Sequence, residues 1–84
     1  MEYIIECAKI KTKEEMHGIL KNTLSLPEWY RPNLDALHDV LTAITSDTQL
    51  IFKDWNKLPE AVKDFHFVLD DAEEENEHFY VTYQ

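Results

Sequence analysis

The sequence predicts an α/β protein in which a small three-stranded parallel sheet is packed with three or four helices. Three short apolar segments have strand character, near residues 3–5, 50–52 and 79–83, and helical patterns separate them along the chain. Strands that are joined through helices pair in parallel, because a helical crossover returns the chain to the same end of the sheet. The order β-α-α-β-α-β therefore predicts a single α/β domain over residues 1–84.

Two helices are predicted between the first and second strands. Thr12 and Glu15 have the spacing of a capping box, and apolar residues follow at helical intervals until Leu26-Pro27 ends the helix. Asn33 is placed to cap the second helix. The inward face of this second helix is predicted to consist of Leu34, Leu37, Leu41 and Ile44.

One further helix is predicted before the last strand. Pro59 suits its first position, because the N–H that proline lacks would be unbonded there in any case. The segment before it, which carries Trp55, is expected to be a loop or a short turn. The buried side of the helix is predicted to consist of Ala61, Phe65, Val68, Leu69 and Ala72.

The net charge of −9 is unevenly distributed along the chain. Acidic and basic residues cancel up to residue 34, whereas twelve acids from Asp35 onward are accompanied only by Lys53, Lys57 and Lys63. An acidic surface repels nucleic acid, so no direct contact with nucleic acid is expected. The charge favours a basic protein partner, although high solubility alone would also explain it.

The single cysteine, Cys7, lies in an apolar segment and is predicted to be a buried structural thiol. One cysteine excludes an internal disulfide and fits a reducing compartment. The chain has no signal-like N-terminal segment and no apolar run of about 20 residues. We therefore expect a soluble cytoplasmic protein with no membrane partner.

Asp35 and Asp39 are four residues apart and fall on the polar side of the second helix with Thr42, while His38 lies at the edge of that side. No lysine or arginine occurs from Asn33 through Leu50 to neutralise them. Like charges at this spacing repel by a few tenths of a kcal/mol. The pair is either a solvated helix face or an anionic surface for a cationic partner, and both interpretations stay open at this point.

Two other groups are candidates for binding. Six acids between Asp70 and Glu77 fall toward the end of the last helix, where the dipole disfavours anions. They either improve solubility or bind a cation-rich partner.

Trp29 and Tyr30 lie in a loop between two prolines, next to the acidic helix. Aromatic residues in a rigid loop suit a binding hot spot, and at least one of the two rings is expected to pack inward.

Signatures of catalysis are weak. The sequence has no glycine-rich phosphate loop, no H-E-x-x-H motif and no cysteine–histidine pairing, and its four histidines show no ligand spacing. His38 between two aspartates is conceivable acid–base machinery, but no nucleophile accompanies it. We therefore expect a non-enzymatic protein that uses no cofactor and no metal.

The segments Leu26-Pro27-Glu28-Trp29-Tyr30, Asn33-Leu34-Asp35-Ala36-Leu37, Asp39 and Leu41-Thr42 together resemble the barstar family of intracellular inhibitors of barnase-like ribonucleases. The resemblance covers essentially the whole chain. It includes the tryptophan that follows the second strand and the segment Val68–Ala72 before the last strand.

The resemblance implies a monomer that binds one barnase-like ribonuclease or nuclease toxin domain, with Asp39 as the main anion and Asp35 as its companion. Trp29 falls where the family has a tyrosine that packs on an active-site histidine of the enzyme. Asp71 falls where the family has a glutamate that reaches a basic group of the partner. The implied partner-binding residues are Trp29, Tyr30, Arg31, Asn33, Leu34, Asp35, Ala36, His38, Asp39, Thr42 and Asp71.

Four further positions depart from the family pattern. Arg31 and Pro32 replace a glycine and an acid, and His38 and Ile44 each replace a tryptophan. Arg31 and His38 alter the rim of the implied surface, so the identity of the cognate nuclease stays open. The alternative hypothesis is an acidic interaction module that binds a basic partner other than a nuclease.

Overall fold

The computed structural model describes residues 1–84 and contains one three-stranded parallel sheet. The strands lie in the order β1 (Glu2–Glu6), β2 (Thr48–Lys53) and β3 (Phe79–Tyr83). Ile51 at the centre of β2 is opposite Ile4 on one side and Thr82 on the other. The predicted parallel α/β architecture is confirmed.

Four α-helices connect the strands, namely α1 (Lys13–Leu24), α2 (Leu34–Thr42), α3 (Glu60–Lys63) and α4 (Phe65–Glu75), and single 3-10 turns follow β1 at Cys7–Lys9 and β2 at Trp55–Lys57. The capping box of α1 is present, since Thr12 Oγ1 accepts from the Glu15 N–H at 3.1 Å and the Glu15 carboxylate accepts from the Thr12 N–H at 3.0 Å. Ser25 ends α1 in the left-handed conformation, with φ of 53°. The first predicted helix is therefore confirmed.

The segment after β2 differs from the prediction of one helix starting at Pro59. Pro59 lies outside the helix as its N-terminal flanking residue, and α3 is only four residues long before a break at Asp64 separates it from α4. Ala61 is exposed rather than buried, and Val62 faces the core in its place. Ala61 is the only member of the predicted buried side that is exposed, because Val62 lies three residues before Phe65 and shares the buried face with Phe65, Leu69 and Ala72.

The core lies between the helices and one face of the sheet. Alternation along the strands buries Ile5, Leu50 and Phe52, whereas Ile4 and Tyr80 on the opposite face are exposed. Cys7 is fully buried, as predicted, and burial together with the negative charge of Asp54 raises the pKa of its thiol to about 11. The helices are thus held on one side of the sheet, with their polar faces directed to solvent.

Candidate partner-binding surface

The orientation of α2 is fixed by its cap and its apolar side. The Asn33 side-chain oxygen accepts a hydrogen bond from the Ala36 N–H at 2.8 Å, which satisfies one of the free donors at the start of the helix. Leu37 and Leu41 are completely buried against the core. Because these two residues must face inward, Asp35 and Asp39 are held on the outside of the helix, where both are exposed.

The charges of Asp35 and Asp39 have no counter-ion within the protein. All seven ion pairs of the structure use other carboxylates. The Thr42 hydroxyl donates to the main-chain carbonyl of Asp39 at 3.2 Å, which leaves the Asp39 carboxylate itself unpaired. No basic residue lies in the last turn of α2 either. This part of the surface therefore presents two unneutralised anions from a rigid helix.

The loop before α2 separates its two aromatic residues. Trp29 is 70% exposed, whereas Tyr30 is only 7% exposed and its hydroxyl lies 2.6 Å from Nδ1 of His17. The Tyr30 N–H also donates to the Pro27 carbonyl at 2.9 Å. The expectation that at least one ring packs inward is confirmed. Tyr30 anchors the loop from inside, and Trp29 is the ring that remains available at the surface.

Burial changes the titration of this anchoring pair. It raises the pKa of Tyr30 to about 12 and lowers the pKa of His17 below its ordinary value, an effect that the nearby Glu14 carboxylate partly opposes. Both side chains are accordingly neutral at pH 7 and suit a neutral hydrogen bond. Tyr30 stays a predicted partner contact, but in the structure its ring and hydroxyl are engaged inside the protein.

Trp29 and Asp39 line the same shallow hollow, whose volume is about 240 Å³. The loop and α2 supply its other lining residues, which are Ser25, Leu26, Pro27, Val40, Ala43 and Ile44. Most of this lining is apolar, and Asp39 is its only charged residue. The hollow therefore suits a side chain that combines a flat or aliphatic body with a positive charge.

Helix α4 brings a second group of acids beside α2. His38, Asp71, Glu74 and Glu75 line a polar hollow of about 460 Å³, and Nε2 of His38 forms a hydrogen bond with the Glu75 carboxylate. The structure thus places Asp71 next to the helix that carries Asp35 and Asp39. Glu74 and Glu75 belong to the acidic run from Asp70 to Glu77 that the sequence offered as a candidate, but they were not placed beside α2 from the sequence. Their spacing of three and four residues from Asp71 is the signal that could have indicated them.

The remaining predicted residues lie on or beside this surface. The Thr42 hydroxyl donates to the carbonyl of His38 at 2.9 Å, so only its acceptor capacity is free. Leu34 and Ala36 are half-buried against the core, and Asn33 uses its side-chain oxygen as the cap. Arg31 is exposed and forms no ion pair.

No three histidine, cysteine, aspartate or glutamate side chains are grouped so that they could hold a metal ion. None of the helices combines the length and the apolar character needed to cross a membrane. The arrangement can bind by charge and shape, through an exposed tryptophan, two uncompensated aspartates and the acids of α4.

Comparison with protein-family models gives a match over residues 1–84 to the model described as barstar, the barnase inhibitor. Members of that family are non-enzymatic inhibitors that bind barnase-like ribonucleases. The match extends over the α/β fold and over every residue of the surface described above. From its sequence, its three-stranded parallel sheet and this family match, the chain belongs to the barstar family.

Proposed function

We propose that this protein inhibits a barnase-like ribonuclease by covering the cationic active site of the enzyme with α2 and the loop before it. The observation that carries the proposal is the pair Asp35 and Asp39, which are exposed and form no ion pair, with Asp39 lining the same hollow as the exposed Trp29. Membership of the barstar family supports the choice of enzyme class.

The chemistry of a ribonuclease explains why carboxylates inhibit it. A site that binds the phosphates of RNA must concentrate Lys, Arg or His side chains, and carboxylates on a helix can occupy the same positions without being cleaved. Asp39 is the main anion in this proposal because it is the one charged residue that lines the apolar hollow shared with Trp29. The aromatic ring and the carboxylate can then hold one cationic side chain between them.

The acids of α4 extend the anionic surface beyond α2. Asp71 lies with His38 along the groove between the two helices, where it can reach a basic residue at the rim of the enzyme site. Tyr30 contributes indirectly by fixing the loop through its buried contact with His17. A rigid surface of this kind loses little conformational freedom on binding, which favours high affinity.

Titration of a purified barnase-like ribonuclease with the protein tests the proposal directly. We expect inhibition at a one-to-one ratio, and Asp39→Ala should weaken it by about 100-fold or more, because the basic groups opposite would be buried without a partner. Glu2→Ala is the matched control, since Glu2 is an exposed acid of β1 that forms no ion pair. Equal inhibition by Asp39→Ala and by the unmodified protein would show that the inhibitory surface lies elsewhere.

A further inference from the structure

Arg31 is the only arginine of the chain, and it stands within the acidic candidate surface. Although the protein has seventeen acidic residues, none of them forms an ion pair with Arg31. The Lys9, Lys57 and Lys63 side chains each find a carboxylate three residues away along the chain. Arg31 is exposed and, like Lys11, Lys13, Lys21 and Lys53, takes part in none of the ion pairs, so the donors of its guanidinium are available to a partner.

The backbone that carries Arg31 is held on both sides. On one side the Tyr30 N–H donates to Pro27, and the Tyr30 hydroxyl is buried against His17. On the other side the Asn33 N–H donates to the Arg31 carbonyl at 2.8 Å, and the ring of Pro32 restricts the main chain between them. The main chain of Arg31 is therefore held at both ends by contacts within the protein, and its exposed side chain extends from it.

The position of Arg31 in the chain affects what a bound partner must offer to its guanidinium. It lies two residues after Trp29 and four before Asp35, two of the residues that the proposed complex uses, so we expect a partner that contacts both to approach Arg31 closely. Covering a guanidinium without an acceptor is strongly unfavourable. A carboxylate is the acceptor that best satisfies it, since the two groups can form parallel hydrogen bonds.

We infer that Arg31 determines which ribonucleases this protein inhibits, by pairing with a carboxylate at the edge of the enzyme active site. The inference rests on the proposed function and adds to it a specificity requirement. A ribonuclease with an acidic residue opposite Arg31 satisfies the guanidinium. One with a neutral or basic residue there leaves it unpaired or repelled, and is rejected.

The competing possibility is that Arg31 stays hydrated at the rim and acts only through its charge. The two possibilities predict different kinetics. A hydrated cation opposes the approach of a cationic enzyme, so its removal would increase the association rate and leave dissociation unchanged. A guanidinium paired with a carboxylate stabilises the complex after it has formed, so its removal increases the dissociation rate.

The experiment measures both rate constants for a catalytically inactive barnase-like ribonuclease that the unmodified protein binds. We expect Arg31→Gln to increase the dissociation rate about tenfold or more, with a change in association rate of about twofold at most. Lys53→Gln is the matched control, because it removes the same charge from an exposed position at the end of β2. An unchanged dissociation rate for Arg31→Gln would overturn the inference.

A double-mutant cycle then identifies the partner group. Each acidic residue at the edge of the ribonuclease site is replaced by its amide and combined with Arg31→Gln. We expect one position to show coupling of about fivefold or more, while no coupling at any acidic position would overturn the inference. Failure of the unmodified protein to bind any barnase-like ribonuclease would instead refute the proposed function, so the two results are distinguishable.

Discussion

The hydroxyl of Tyr30 and Nδ1 of His17 lie 2.6 Å apart in the interior, and this contact joins the loop before α2 to helix α1. The His17 ring also packs against Phe65 of α4, with ring centroids 4.8 Å apart. A residue of the loop is thus held by side chains from two helices. Trp29 and Arg31, the neighbours of Tyr30, are therefore presented to solvent from a fixed backbone.

Tyr30→Phe is expected to lower the free energy of unfolding by about 1–2 kcal/mol, because a buried ring nitrogen of His17 would lose its hydrogen-bond partner. Urea unfolding followed by circular dichroism measures this change. Ribonuclease affinity should fall less than with Asp39→Ala, since the exposed ring of Trp29 and both aspartates remain. A loss of affinity without any loss of stability would contradict the supporting role assigned to Tyr30.

The stability of the protein is expected to fall as the pH is lowered from 7 through the pKa of folded His17. Burial lowers that pKa, so in this range the unfolded chain binds more protons than the folded one, and the free energy of unfolding decreases with decreasing pH. The stabilisation is therefore complete above the ordinary histidine pKa of 6.5. Urea midpoints between pH 7.5 and pH 5 measure the slope.

His17→Gln provides the comparison for this pH effect, since glutamine does not titrate and its side chain can still accept from the Tyr30 hydroxyl. The other three histidines form surface contacts with carboxylates and are unchanged in the variant. We expect the variant to show a smaller loss of stability over the same pH range. An identical slope for the two proteins would show that His17 does not contribute to it.

Cys7 is expected to react only when the protein unfolds. The thiol is fully buried and its pKa is raised to about 11, so at pH 8 only about one molecule in a thousand carries the reactive thiolate. Labelling with a thiol reagent should be slow in the folded protein and should accelerate steeply across the urea transition. Rapid labelling in the absence of urea would contradict the burial of Cys7.

Association with a cationic ribonuclease is expected to depend strongly on salt. The net charge of −9 attracts a basic partner at long range, and added salt screens that attraction. Between about 10 mM and 500 mM salt the association rate should fall about tenfold or more. Stopped-flow mixing measures it, and Asp35→Asn should flatten the salt dependence slightly. A rate that is insensitive to salt would argue against electrostatic steering.

Local sequence patterns were sufficient to predict much of the fold and the part of the candidate site that lies on α2. The capping box at Thr12 and the cap at Asn33 depend on residues three positions apart, so the sequence alone indicates them. The buried positions Leu37 and Leu41 fix the phase of α2 and hence the outward direction of Asp35 and Asp39. The break at Asp64 was not predicted, because the apolar spacing on its two sides resembles that of one longer helix.

Contacts between distant segments decided the rest. The sequence determined that the aromatic loop would bury at least one ring, but only packing against His17 determined that Tyr30 is inside and Trp29 outside. Likewise, Asp71 joins His38 only because α4 packs beside α2. Helix phase and capping depend on neighbours within one or two turns, whereas the partner of a side chain across the core depends on how whole elements pack.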